Sequence, residues 1–149
     1  MNIGASATTK PPVSFWAVSI ISLLWNAFGG YDYTMTMSHN TAYLSQIGDA
    51  SEIIAWVESF PLWAAIAYAL GIWGSVAGSL LLLLRSRHAV TAFLISFVGA
   101  VVSFSAQMMI KAPASLDTTA GKLMPFVILA IVAFLWWYAR KQIAAGILR

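Results

Sequence analysis

The stretch WNAFGGYDYTMTMSHN, residues 25–40, gathers the side chains of this chain best suited to chemistry. It holds an amide, a carboxylate between two tyrosines, two thioethers and an imidazole. On a helix, Asp32, Thr36, His39 and Tyr43 follow i, i+4, i+7 and i+11 and line one face, with Met35 beside them. Asn26, Tyr33 and Asn40 recur every seven residues as a second stripe, about 100° around the axis. Gly29 and Gly30 separate the apolar half from the polar half, a pairing that permits a kink or a close helix contact. Gln107, Met108 and Met109 stand near the matching end of another apolar run.

Three reactive chemistries fail on spacing. The thioethers and imidazole of MTMSH suit copper(I), but Met35 and Met37 are two apart and point to nearly opposite faces. Only Met35 with His39 remains, helped by Met108 or Met109, and methionine is a common apolar filler. Haem needs two axial ligands at one depth, whereas His39 and His88 fall at opposite membrane faces. No Ser–His–Asp order and no H-x-x-x-H is present, and TTAGK lacks the phosphate-loop spacing. The chain therefore reads as non-enzymatic, with no metal and no cofactor. What remains is recognition of a small, largely neutral polar solute. Trp25, Tyr31 and Tyr33 offer flat faces, Asn26, Asp32 and Gln107 offer hydrogen bonds, and His39 stands at the mouth. Aromatic walls with a few polar groups fit a small-molecule pocket and suit a sugar.

The elements that position these residues follow from composition. Of 149 residues, 60% are hydrophobic and 9% charged, and mean hydropathy is +0.82. A soluble domain carries roughly 25% charged residues, so a multi-span membrane protein is expected, with the lipid bilayer as its first partner. The net charge of +3 comes from basic residues scattered at segment ends. No basic stripe forms, which argues against nucleic acid. The absence of cysteine excludes disulfides, thiolate metal sites and cysteine nucleophiles.

Four apolar segments, about 13–37, 62–84, 89–110 and 123–139, meet the length of roughly 17 to 25 residues needed to cross the hydrocarbon. Backbone groups in lipid must bond internally, so these are helices. The expected fold is all-α: one membrane domain over 1–149, a bundle of four transmembrane helices. Lys10, Arg85, Arg87, Arg140, Lys141 and Arg149, six of the eight basic residues, fall on one side. The first long connection, 38–61, has none. The bias places both termini in the cytoplasm. The first span reads as an uncleaved start-transfer helix, since no small-residue cleavage site follows it. Trp136, Trp137 and Tyr138 form an interfacial anchor.

Within the first outer connection, Asp49 and Glu52 read as a capping box. Ile53, Trp56, Val57 and Phe60 then recur at helical spacing, predicting a short amphipathic helix over about 50–60. Spans two and three form a hairpin around RSRH, with small residues on both: Ala67, Gly71, Gly74, Ser75 and Gly78 answered by Ser96, Gly99, Ala100, Ser103 and Ala106. Gly74 and Gly78 suit either packing inside the bundle or contact with another subunit. Pro125 is expected in the first turn of the last helix.

Two polar residues remain open at this level. Asp32, the only acid in a span, lies roughly 28 Å along the first helix from Val13. That depth suits an interfacial carboxylate bonded to a nearby Tyr or Thr, or a proton- or ligand-binding group. Asn26 is deeper, and either bonds another helix through Ser103 or Gln107 or lines a polar cavity.

The stretches LWNAFGGYDYTMT, SFPLW and ALGIWGSVAGSLLLLLRSRHAV resemble a family of small, uncharacterised bacterial four-helix inner-membrane proteins, some loosely labelled sugar transporters. The likeness covers about residues 24–90 and implies transport. Four helices seldom enclose an alternating-access pathway alone, so transport implies a homo-oligomer. The alternative is an accessory or assembly subunit that docks a larger membrane partner.

Overall fold

Pro12 and Pro61, each in extended backbone, open two of the long apolar runs as helices, where a missing N–H costs nothing. The computed structural model describes residues 9–149, and among these every regular element is helical. The order is α1 (Val13–Met37), α2 (Thr41–Leu44), α3 (Ala50–Glu58), α4 (Leu62–Leu83), α5 (Ala89–Met108) and α6 (Thr119–Ala144). Helices α1, α4, α5 and α6 are long and apolar enough to span a membrane. The chain is an integral membrane protein.

α4 and α5 form the central hairpin, α1 packs on α4, and α6 packs on α5. Lipid supplies no hydrophobic drive between helices, so close approach of small residues must hold the hairpin. The buried face of α4 is Ala64, Ala67, Gly71, Ser75, Gly78, Ser79 and Leu82. A Cβ on Gly99 of α5 would lie 2.7 Å from the Ala67 carbonyl oxygen and 2.9 Å from the Gly71 nitrogen. Ser96 Oγ donates to the Gly71 carbonyl at 2.6 Å. Gly74 faces the Ser96 backbone and Gly78 faces the Phe93 ring, so both glycines are used inside the chain, against α5.

At one end, Phe15, Leu82, Ala89, Phe93, Leu135, Ala139, Ile147 and Leu148 form the main apolar core. Here Arg85 adopts a left-handed φ of 60°. Its Nε donates to the Ile147 carbonyl at 3.1 Å and its guanidinium to the Thr9 carbonyl at 3.1 Å. Arg149 N donates to the Arg85 carbonyl, and Arg87 N donates to the Arg149 carbonyl. The residues before α1, the α4–α5 turn and the residues after α6 are thereby fastened together. Arg140 stacks over Trp136 at 4.8 Å and Lys141 lies 5.1 Å from the Trp137 ring centre.

At the other end, α3 buries Ile53 and Val57 against Leu44, with Leu116 of the α5–α6 connection packed beside them. Asp49 caps α3 by accepting from Glu52 N at 3.1 Å. The reciprocal half of the expected capping box is not made; Ser51 Oγ donates to Asp49 instead, at 2.6 Å. That bond holds the exposed Asp49 carboxyl below its ordinary pKa, with the Glu52 backbone N–H adding to it.

Of the two uses expected for Gly29 and Gly30, the close helix contact is the one made: α1 is continuous across them, and Gly30 gives room to the Trp73 ring of α4, 3.2 Å from a Cβ built there. One further expectation is corrected. Pro125 lies inside α6 rather than in its first turn. The Thr118 side chain accepts from Gly121 N at 3.0 Å and starts the helix ahead of the proline. α6 buries only Val132, Leu135, Ala139 and Gln142, all in its second half.

Candidate functional site

The buried stripe of α1 is Phe15, Ser19, Ser22, Asn26, Gly30 and Thr36. Its middle is polar although it lies deep in an apolar helix. Asn26 Nδ2 donates to Ser79 Oγ at 2.7 Å and to the Ser75 carbonyl at 3.3 Å. Ser22 Oγ lies 3.2 Å from Ser79 Oγ and 3.0 Å from the Ser19 carbonyl, and Ser19 Oγ donates to the Phe15 carbonyl. Ser19, Ser22, Asn26 and Ser79 thus make a seam between α1 and α4. The two expected partners of Asn26 are elsewhere: Gln107 Nε2 donates to Ser103 Oγ of its own helix at 2.9 Å. A signal for the seam was present, since residues 19, 22 and 26 share one helical face and Ser75 and Ser79 answer at i, i+4.

The upper part of α1 builds a different environment. Asp32 is half-buried and its Oδ1 accepts from the Tyr43 hydroxyl at 2.5 Å. α2 brings Tyr43 back to α1: Asn40 caps it by accepting from Tyr43 N at 2.9 Å. The Tyr43 ring meets the Tyr31 ring edge-on at 5.6 Å between centroids. Tyr33, the next residue of α1, packs edge-on against Tyr68 at 4.9 Å and against Trp73 at 5.9 Å. Burial, the Asp32 hydrogen bond and the Asp32 charge together push the Tyr43 phenol up to about 12. Among the described residues, the ion pairs are His39–Glu58 and Lys122–Asp117, so Asp32 has no cationic partner.

The helical face expected to join Asp32, Thr36, His39 and Tyr43 is interrupted. α1 ends at Met37, and His39 takes a left-handed φ of 57°. The i, i+4 relation of Met35 to His39 and the stripe through Asn40 both end with the helix. His39 Nε2 lies 3.7 Å from Glu58 Oε1, with both side chains exposed. Trp25, beside Asn26, points outward and is 41% exposed. Of the seven predicted site residues, Asp32 and Tyr31 are brought together by Tyr43, while Tyr33, next to Asp32 in sequence, packs on Tyr68 and Trp73. Asn26, Gln107, Trp25 and His39 are not brought to them.

Two surface grooves lie away from all seven. One, about 440 Å³, is apolar and runs between Trp63, Ile66 and Leu70 of α4 and Leu94, Val98 and Val102 of α5. The other, about 510 Å³, lies between Trp56 of α3 and residues 110–114. No group of three or more His, Asp or Glu side chains suited to a metal ion occurs among the described residues. Comparison with family models, with curated proteins and with solved structures finds no match to this chain.

Proposed function

We propose that the chain is a bacterial inner-membrane protein, with both termini cytoplasmic, that recognises a small polar solute at the outer end of α1 and moves it as a homo-oligomer. The carrying observation is Asp32, a carboxylate with no cationic partner among the described residues, bonded to Tyr43, whose ring packs on Tyr31. The charge bias of the connections supports the orientation, and transport is what the resemblance read in residues 24–90 implies. An assembly is proposed because four helices seldom enclose a pathway alone, and the α1–α4 seam supports it: among the described residues its polar groups are bonded to one another and line neither groove.

The test uses purified protein in lipid nanodiscs, exposed to a bacterial metabolite extract and washed, with retained compounds identified by mass spectrometry. A compound retained by the wild type and lost in Asp32→Asn supports the reading. No retained compound, or equal retention by the variant, overturns it.

A second reading, an accessory subunit of a larger membrane complex, is favoured by the first half of α6, which buries no residue and exposes Leu123, Met124, Phe126 and Val127. A photo-crosslinker at Val127 separates the two: adducts between copies fit the oligomer, and a defined adduct with one other membrane protein fits the accessory role.

A further inference from the structure

We infer that the solute taken at Asp32 is an organic cation of the quaternary or tertiary ammonium type, an inference that rests on the solute recognition proposed above. A neutral sugar needs an array of hydrogen-bond donors and acceptors. The groups that promised such an array are placed elsewhere. Asn26 is consumed by Ser75 and Ser79, and Gln107 by Ser103. The Tyr43 hydroxyl already donates to Asp32. What is left at the end of α1 is one carboxylate and a set of tyrosine rings with their hydroxyls.

That remainder has a definite chemical complement. Asp32 Oδ1 is used by Tyr43, while Oδ2 makes no side-chain hydrogen bond. No Lys, Arg or His among the described residues pairs with it. A carboxylate held near a low-dielectric boundary gains most from a cation that is itself weakly hydrated. Methylated ammonium groups are of this kind, and aromatic rings within about 6 Å attract them through the ring quadrupole. Tyr31 and Tyr33 flank Asp32 in sequence, so on the helix they project to its two sides. Tyr31 is 50% exposed, which leaves ring surface open to a ligand. Tyr43 and Tyr31 meet edge-on, as do Tyr33 and Tyr68. A methylated cation needs no donor from the protein, so the Tyr43 hydroxyl can stay on Asp32 when it binds.

The full chain in nanodiscs, titrated calorimetrically with tetramethylammonium chloride against sodium chloride of equal ionic strength, tests this. Saturable binding is expected, at least tenfold weaker in Asp32→Asn and weakened also in Tyr31→Leu, and unchanged in Ser105→Ala on α5. Tyr31 makes no hydrogen bond through its side chain, so Tyr31→Leu keeps the test valid should Asp32→Asn not fold. Absence of saturable binding, or binding indifferent to both substitutions, overturns the inference. Glucose serves as the neutral probe in parallel. Glucose binding that depends on Asp32, with no tetramethylammonium binding, overturns the cation while leaving solute recognition standing. If neither probe binds and the metabolite screen retains nothing, both fall.

Discussion

Asn26 of α1 donates its side-chain amide to Ser79 Oγ of α4 at 2.7 Å, joining helices across 53 residues of sequence. In lipid the alternative for that amide is an unpaired polar group, so the bond fixes both the rotation of α1 and its depth against the hairpin. Measured hydrogen bonds of this kind between membrane helices average about 0.6 kcal/mol and reach about 1.7. Asn26→Ala and Ser79→Ala are each expected to destabilise the protein, and the double variant by less than their sum. The difference should be about 0.6–1.7 kcal/mol, read from denaturant unfolding in micelles. Strict additivity would mean the seam is not formed.

The glycines of the bundle should respond oppositely to the same change. A Cβ on Gly99 meets the Ala67 carbonyl oxygen and the Gly71 nitrogen, both backbone, at under 3 Å. Gly99→Ala must therefore push α4 and α5 apart, at about 1–3 kcal/mol. A Cβ on Gly29 meets only Ile72 Cδ1, at 3.9 Å. Gly29→Ala should stabilise α1 by up to about 1 kcal/mol through helix propensity. Thermal unfolding of the two variants side by side checks the contrast.

These contacts mark where sequence reading stops. Apolar run length placed the four spans, because a backbone in lipid has few alternatives. The Asp49 cap and the apolar spacing of Ile53 and Val57 placed α3, because both signals are local. Tertiary choices were less legible. The i, i+4 spacing of Ser75 and Ser79 offers Asn26 a partner face but does not by itself select Ser79 over Ser103, since several helices offer hydroxyls. The end of α1 at Met37 was legible, but the polar face was carried past it to His39 and Tyr43 for a related reason. Met35–Asn40 continues a helical pattern of residue types, but Asn40 caps α2 and the chain must reverse at His39 to reach that cap. The return of Tyr43 to Asp32 was nonetheless anticipated in kind, as a carboxylate bonded to a nearby tyrosine, though through a turn rather than along one helix face.

His39 is the residue whose role the reversal most alters. A left-handed backbone costs a residue with a Cβ about 1–2 kcal/mol, and its exposed ion pair with Glu58 contributes about 0–1 kcal/mol. His39→Gly is therefore expected to leave stability equal or slightly higher, and solute retention unchanged. His39→Val should lose about 1–2 kcal/mol, because a β-branched residue adopts this conformation poorly. A loss of retention in His39→Gly would return His39 to the binding site.

Arg85 presents the same backbone with the opposite balance. Its side chain holds the carbonyls of Ile147 and Thr9. Arg85→Gly removes those bonds but relieves the left-handed strain, whereas Arg85→Ala removes the bonds and keeps it. The alanine variant should be the less stable by about 1–2 kcal/mol, with faster amide exchange at Ile147 and Leu148 in both. Equal stability of the two variants would show that the turn relaxes when the arginine is gone.

The Tyr43–Asp32 bond predicts a dependence on alkaline pH. The neutral phenol is the donor, and the folded protein holds its pKa at about 12 against an ordinary 10.0. A group that keeps its proton more tightly when folded contributes stability that is full below the unfolded value. That contribution is lost as pH rises from about 10 through about 12. α2 should therefore remain docked on α1 at any pH below 10 and loosen progressively between about 10 and about 12. The ultraviolet difference titration between wild type and Tyr43→Phe isolates this phenol, and its midpoint should fall near 12. Asp32→Asn removes the charge and weakens the acceptor, and should move the midpoint down toward 10 without reaching it, because burial is the largest cause of the shift and persists. A wild-type midpoint at 10 would mean that Tyr43 does not return to Asp32, and the aromatic surround of the carboxylate would lose the wall supplied by α2.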